Sequence, residues 1–282
     1  MIGGSGFLGR RITRQARLAG HRVIATYRAS VPSAPGGDWR MLDIRRRADV
    51  TELALAAGPD VIVNAASLQP DWETTADGAA HVALAAAATG ARLVHVSSDA
   101  VFSGTVFSST APVYDEASRP DPVTAYGAAK AAAETAVKAI APAAVIARTS
   151  LIIGDGDSKH ESLVHALVSG AETGALYTDD VRCPVHITDL ASALLELAAA
   201  PHAGVQHVTG PDAVSRYELG LLIATRDGLD TSAVPAGPRA ANGIPGPARV
   251  RLDNTRTQAR LNTRLRGARE FLAARAAQGG PR

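Results

Sequence analysis

The chain has 282 residues, 46% hydrophobic and 20% charged, an ordinary balance for a soluble globular protein large enough to bury a core. Its formal net charge of +2 is too small to indicate a nucleic-acid or polyanion binder. The single cysteine, Cys183, excludes an internal disulfide, and we find neither a membrane-spanning run nor a signal-peptide pattern, so we expect a cytoplasmic protein.

The chain opens with a glycine-rich loop, MIGGSGFLGR, that leads into a predicted helix over 7–18. Gly3, Gly6 and Gly9 allow positive φ and close backbone approach, and a helix N-terminus attracts a pyrophosphate. Because the chain has 26 glycines, the triplet taken alone is equally compatible with a surface turn.

The rest of the first half alternates β-branched runs with alanine-rich stretches. The pattern predicts strands over 22–27, up to about 64, over 92–98 and over 143–149, and helices over 48–58, 74–89 and about 124–140. Such alternation indicates βαβ units and a parallel sheet buried on both faces. We therefore predict an α/β fold with a doubly wound parallel sheet.

The second half is less regular. Its pattern predicts helices over about 161–173, from 189 with Thr188 as N-cap, over 215–224 and over about 264–277, and a strand over 205–210. The segment 179–189 is predicted to be irregular, and the proline- and glycine-rich segment 234–249 a surface connection.

Two residues bear on the choice of a dinucleotide. An acid that binds the ribose 2′-hydroxyl is expected at the end of the second predicted strand, where this chain has Arg28. An arginine can pair with a 2′-phosphate, which favours NADP over NAD, although an incidental surface arginine would look the same. Asp43 follows the next strand region and could bind the adenine amino group.

The sharpest motif is Tyr126-x-x-x-Lys130 on the predicted helix over 124–140. Residues four apart lie on one helix face, and five tyrosines and three lysines in 282 positions predict about 0.05 such pairs by chance. An ammonium beside a phenol stabilises the phenolate, so we expect the pKa of Tyr126 to fall toward neutrality. The alternative is an incidental pair on a solvated helix face.

Two adjacent serines stand at the end of the predicted strand over 92–98. In an open α/β sheet, the carboxyl ends of the strands face the ligand crevice. The hydroxyl of either Ser97 or Ser98 could therefore bind a substrate carbonyl, although a serine pair at a strand end is more often a turn or helix cap.

Taken together, GxxGxxG, the NAA run at 64–66, Ser98 and Tyr126-x-x-x-Lys130 resemble the extended short-chain dehydrogenase/reductase superfamily. Within it, the stretches ARLVHVSSDAVFSG, YDEASRPDPVTAYGAAKAAAE and ARTSLIIG are most similar to the dTDP-4-dehydrorhamnose reductase group of sugar-nucleotide reductases. The resemblance covers nearly the whole chain and is strongest over 1–150. It implies a Rossmann-type sheet and a smaller carboxy-terminal substrate-binding subdomain.

The resemblance implies a role for each matching residue. Tyr126 is the general acid at C4, Lys130 binds the nicotinamide ribose and tunes Tyr126, and Ser98 binds the substrate oxygen. The implied NADP-binding residues, with NAD left possible, are Gly3, Gly6, Phe7, Leu8, Gly9, Arg28, Asp43, Ile44, Asn64, Ala65, Ala66 and Lys130. The implied nucleotide-sugar contacts are Ser97, Asp99, Thr149, Ser150, Arg182 and Val185, with Arg182 as a diphosphate contact or else a surface salt-bridge residue.

This chain departs from the family pattern at several positions. Thr75 stands where many relatives have an asparagine that supports a proton relay, which puts that relay in doubt. Arg11 stands where metal-bridged dimers of the group use a glutamate, so we expect no metal and leave a homodimer open. Trp72 is either a pocket residue or a surface residue.

The resemblance predicts an NADPH-dependent reductase of a 4-keto nucleotide sugar. An epimerase on the same scaffold and a non-catalytic NADP-binding regulatory protein are the alternatives. A dehydratase is disfavoured, because Ala100 follows Asp99 where dehydratases carry an Asp-Glu pair.

The resemblance also implies a domain plan. Residues 1–150, with 186–210 contributing, form the NADP-binding domain, and 151–185 and 211–282 form the substrate-binding subdomain. Only Met1 and Ile2 precede the glycine loop, where a central strand is needed to bury the edges of its neighbours. We therefore expect a truncated first strand and a natural chain that starts several residues upstream.

Overall fold

The structure is a computed structural model that describes residues 1–30, 37–104, 113–154, 156, 158–239 and 246–273. In the first half the elements are α1 (Phe7–Leu18), β1 (Ile24–Tyr27), β2 (Asp38–Met41), α2 (Arg47–Ala57), β3 (Val61–Asn64), α3 (Gly78–Thr89), β4 (Arg92–Ser98), β5 (Val113–Tyr114), α4 (Ala125–Ile140) and β6 (Val145–Thr149). The predicted alternation of strands and helices is confirmed, with boundaries that match the prediction or differ from it by at most four residues.

The second half contains more short strands than the pattern predicts. Its elements are β7 (Ile152–Ile153), α5 (Lys159–Val168), β8 (Leu176–Tyr177), β9 (Val181–Arg182), β10 (Val185–His186), α6 (Ile187–Ala199), β11 (Gly204–His207), β12 (Val214–Ser215), α7 (Arg216–Asp227), β13 (Ala236–Gly237), β14 (Arg251–Leu252), α8 (Thr255–Gln258) and α9 (Ala268–Ala273). The segment predicted to be irregular contains β9 and β10. Positions 240–245 of the predicted connection and 274–277 of the predicted basic helix lie outside the described residues.

A parallel sheet organises the amino-terminal part. Strand pairing gives the order β2-β1 and, separately, β3-β4-β6-β11, with every pair parallel. Ile2 joins the two groups, since it pairs with Asn64 in parallel while Thr26 N–H donates to the Met1 carbonyl at 2.9 Å. The sheet therefore has the doubly wound order predicted, with Met1 and Ile2 at its centre.

Helices cover both faces of this sheet. One core cluster packs α1 and α6 against the sheet through Leu8, Ile12 and Leu194. A second cluster packs α2, α3 and α4 against the other face through Val50, Val82 and Val137. A cavity of about 350 Å³ lies beside Met1, lined by residues of β1, β3 and α2.

Two of the helix starts that differ from expectation have a clear local structure. α6 begins two residues earlier than predicted, with His186 instead of Thr188 as its N-cap, because the His186 imidazole accepts from the Thr188 N–H at 3.2 Å. The predicted helix over 74–89 begins with a π-helical turn, Glu73–Asp77, before α3. No helix among the described residues is long and apolar enough to cross a membrane.

Candidate active site

The carboxyl ends of three neighbouring strands meet at one edge of the sheet. Asn64 ends β3, Ser98 ends β4 and Thr149 ends β6, with Ser98 and Thr149 in direct register. α4 crosses this edge and begins at Thr124, whose hydroxyl accepts from the Gly127 N–H at 3.0 Å. The fold therefore brings Tyr126 and Lys130, in the first turns of α4, to the end of β4.

Tyr126 is half-buried beside Ser98. Burial raises the pKa of the Tyr126 phenol above its ordinary value, and the charge of Asp99 raises it further, while hydrogen bonds with Ser98, Gln69 and Ser67 act in the opposite direction. Our expectation that Lys130 would bring this pKa toward neutrality is therefore wrong for the free protein. The phenol carries its proton at neutral pH, as a general acid must.

Lys130 lies almost fully buried behind Tyr126. Its Nζ donates to the Val96 carbonyl at 3.0 Å and lies 5.9 Å from the centroid of the Tyr126 ring. Burial lowers the pKa of Lys130 to about 8, although nearby Glu134 opposes that change. The ammonium is thus fixed at the edge of β4, with one hydrogen bond to the backbone.

The glycine loop has the geometry of a phosphate site. Gly3 has φ +77°, and a Cβ there would lie 2.7 Å from the Ala66 backbone nitrogen, while a Cβ at Gly9 would collide with the Gly3 carbonyl. Gly6 caps α1 without a side-chain hydrogen bond, so this helix end is open to an external anion. Leu8 is buried in the core, which leaves the backbone of the loop as the exposed surface.

A cavity of about 230 Å³ extends from this loop along the ends of β1 and β3. Of the predicted cofactor residues it is lined by Gly3, Gly6, Arg28, Asp43, Ile44, Ala65 and Ala66. The Asn64 side chain lies beneath it, where its Oδ1 accepts from the Ala66 N–H at 3.1 Å. The Nε of Arg45 donates to both carboxylate oxygens of Asp43, at 2.9 and 3.0 Å, and this contact lowers the pKa of Asp43 to about 2.

Three predicted substrate contacts do not reach an open surface, and these assignments are corrected. Ser97 points to the opposite face of β4, where its hydroxyl donates to Glu134 at 2.7 Å. Val185 is completely buried in the core formed by α1 and α6. Arg182 is 3% exposed and its guanidinium is occupied by Asp180 at 2.8 Å and by the Pro247 carbonyl at 2.6 Å.

The other predicted contacts stay at the strand ends. The hydroxyl of Thr149 is buried and lacks a hydrogen-bond partner among the described residues. Ser150 and Asp99 are joined by a 2.6 Å hydrogen bond. Trp72 is 47% exposed, and Thr75 binds the Leu68 carbonyl at 3.0 Å, which anchors the loop after β3.

The sequence analysis did not identify four polar residues near the site. Ser67 and Gln69, on the loop after β3, hydrogen-bond with Tyr126. Ser5 and Thr26 line the cavity beside the glycines. The carboxyl-end rule applied to β3, as it was applied to β4, would have identified Ser67 and Gln69.

Comparison with known proteins places this arrangement in context. The sequence model of the RmlD substrate binding domain matches residues 1–279. The chain is 30% identical to the dTDP-4-dehydrorhamnose reductase of Mycobacterium tuberculosis over 256 residues, 88% of this chain and 81% of the relative. It is 27% identical to the methionine adenosyltransferase 2 subunit beta of Xenopus laevis over 274 residues, 90% of this chain and 79% of the relative.

A solved structure is also similar. The crystal structure of a hypothetical dTDP-4-dehydrorhamnose reductase from Sulfolobus tokodaii superposes with a TM-score of 0.80 at 28% identity, covering 94% of this chain and 95% of that one. The doubly wound fold is therefore shared with a solved protein over nearly its whole length.

Proposed function

Because the chain belongs to the family of the RmlD substrate binding domain and is, like its reductase relatives, an NAD(P)-dependent oxidoreductase, we propose that it reduces a 4-keto nucleotide sugar with NADPH. The observation that carries the proposal is the convergence of Tyr126, Lys130 and Ser98 beside the glycine-loop cavity. A protein that only binds NADP would need the cavity, but it would not need a protonated phenol next to a buried ammonium.

The cavity residues support a dinucleotide. The backbone of Gly3, Gly6 and Gly9 and the open end of α1 suit a pyrophosphate, and Ala65 and Ala66 border the groove. Arg28 lines the cavity and has a guanidinium that suits a 2′-phosphate, so we propose NADP as the preferred dinucleotide. When bound, this cofactor supplies the hydride.

The chain's own residues handle the proton and the oxygen. Tyr126 donates the phenol proton to the C4 oxygen as that oxygen becomes negative. The neighbouring Lys130 ammonium stabilises the phenolate left behind. When substrate binds, the Ser98 hydroxyl turns from Asp99 to the reacting oxygen at the end of β4. Thr149 lies in register with Ser98, and its buried hydroxyl has no hydrogen-bond partner among the described residues, so it is the substrate contact that we propose from β6.

The proposal is tested by following NADPH consumption with a panel of 4-keto nucleotide sugars that includes dTDP-4-dehydrorhamnose. We expect stoichiometric oxidation with at least one sugar, and a Tyr126→Phe variant slower by about 100-fold or more because the acid is lost. A matched Tyr217→Phe variant, half-buried on α7 in the separate core of the second half, should retain wild-type rates.

Two outcomes would contradict reduction. Interconversion of the sugar without net oxidation would identify an epimerase. NADPH binding without turnover, unchanged in Tyr126→Phe, would favour a non-catalytic regulatory protein. The Xenopus relative is named as a subunit of a methionine adenosyltransferase.

A further inference from the structure

Asp99 directly follows Ser98 and is only 5% exposed. Its Oδ1 accepts from the Ser98 hydroxyl at 3.2 Å, and its Oδ2 accepts from the Ser150 hydroxyl at 2.6 Å. The Nε of Arg182 lies 3.6 Å from the same Oδ2. The carboxylate thus contacts two serine hydroxyls and one guanidinium.

These contacts also determine the orientation of Ser98. Its hydroxyl donates to Asp99, and its oxygen accepts from the Ala100 N–H at 3.2 Å. Tyr126 hydrogen-bonds with the same serine, and the charge of Asp99 is one cause of the raised pKa of Tyr126. Asp99 therefore acts on Ser98 by contact and on Tyr126 by charge.

We propose that Asp99 is a positioning residue, which orients the Ser98 hydroxyl and keeps a carboxylate beside the Ser98–Tyr126 pair, while Ser150 and Arg182 hold Asp99 in place. This role replaces the expected one of Asp99 and Ser150 as substrate contacts. It rests on the proposed function, because a general acid must still carry its proton when reduction begins.

The other ionisable groups around the pair are mainly cationic. Lys130 faces Tyr126 from its own helix, and Arg182 and Arg216 face Asp99 from β9 and α7. Burial raises the pKa of the Cys183 thiol, which also faces Asp99, to about 11, so the thiol is neutral below that pH. Removal of the Asp99 charge would leave the nearby cations less compensated, and cations favour the phenolate.

The first experiment is an ultraviolet titration of Tyr126 in the full-length protein. Subtraction of the matching Tyr126→Phe spectrum isolates this phenol in the wild-type and Asp99→Asn backgrounds. We expect a lower ionisation midpoint in Asp99→Asn, and an unchanged midpoint would overturn the proposal. The titration needs no substrate, so its result is independent of whether any sugar is reduced.

The matched control is Asp180→Asn. Asp180 is buried and also pairs with Arg182, at 2.8 Å, but it makes no contact with Ser98. We expect the wild-type midpoint for Tyr126 in this variant. A shift equal to that of Asp99→Asn would assign the effect to general loss of an Arg182 partner and would overturn the proposal.

A second variant, Ser150→Ala, keeps the charge of Asp99 but removes the hydrogen bond that holds its carboxylate. This variant tests the proposal if Asp99→Asn does not fold. We expect a kcat about tenfold lower, an unchanged KM and the wild-type Tyr126 midpoint, because a small displacement of an orienting group slows catalysis. A raised KM with unchanged kcat would make Ser150 a substrate contact and would contradict the proposal.

Discussion

His95 lies in β4 below the active-site edge and is 1% exposed. Its Nδ1 accepts from the Asn64 amide at 3.3 Å, and the Asn64 Oδ1 accepts from the Ala66 N–H. Burial, with the nearby Lys130 charge, lowers the pKa of His95 to about 3. A neutral imidazole therefore orients the asparagine that supports the cofactor groove.

This histidine makes the protein sensitive to acid. The unfolded chain takes up a proton near pH 6.5, whereas folded His95 does so only near pH 3, so its contribution is complete above pH 6.5 and is lost as the pH falls between these values. In His95→Gln we expect the free energy of unfolding to fall less steeply with acid, by up to about 1.4 kcal/mol per pH unit. Denaturant unfolding from pH 7 to 4 measures this slope.

The control for this prediction is exposed His21→Gln, which should keep the wild-type slope. His160 also has a lowered pKa, about 4, so a residual slope is expected in both variants. Identical slopes for His95→Gln and wild type would contradict the lowered pKa of His95 in the folded protein.

At the scale of elements, a buried ion pair ties α4 to β6. Arg148 binds both carboxylate oxygens of Glu134, at 2.9 and 2.8 Å, and both side chains are 1% exposed. Ser97 donates to the same carboxylate, and the Arg148 guanidinium lies 4.9 Å from the centroid of the Phe102 ring. The pair fixes the helix that carries Tyr126 and Lys130 against the sheet.

Removal of one partner leaves an uncompensated buried charge. We expect Glu134→Gln to lower the free energy of unfolding by about 3 to 5 kcal/mol. The exposed pair Arg264–Glu270 is the control, and Glu270→Gln should change the free energy of unfolding by less than about 1 kcal/mol. Chemical denaturation of the three proteins measures both values, and equal losses would refute the structural role of the pair.

The whole molecule has separate hydrophobic cores. Two flank the parallel sheet, and a third packs α5, α7 and α9 together through Leu167, Ile223 and Phe271. α6 and β11 pack with the sheet, which supports our proposal that 186–210 belongs with the cofactor domain. The remaining segments of the second half form the proposed substrate subdomain.

This division predicts a separable effect. Ile223→Ala, at a fully buried position of the third core, should cost about 2 to 5 kcal/mol and weaken substrate binding while NADPH affinity is retained. Ile146→Ala, equally buried in the sheet core, should lower NADPH affinity. Fluorescence titration with NADPH measures the NADPH affinity of both variants, and equal losses of affinity would argue against two subdomains.

The sequence by itself predicted the main strands and helices and the Tyr126–Lys130 pair, because periodicity and residue spacing are local properties. The choice of Ser98 over Ser97 came from the family resemblance. Only the tertiary structure decided which polar groups face the site and which are bound to other residues in the interior. Ser97 and Arg182 carry the right chemistry at the right positions in the chain, yet Glu134 and Asp180 occupy them. The raised pKa of Tyr126 likewise follows from burial, which depends on residues distant in the chain and on no local pattern.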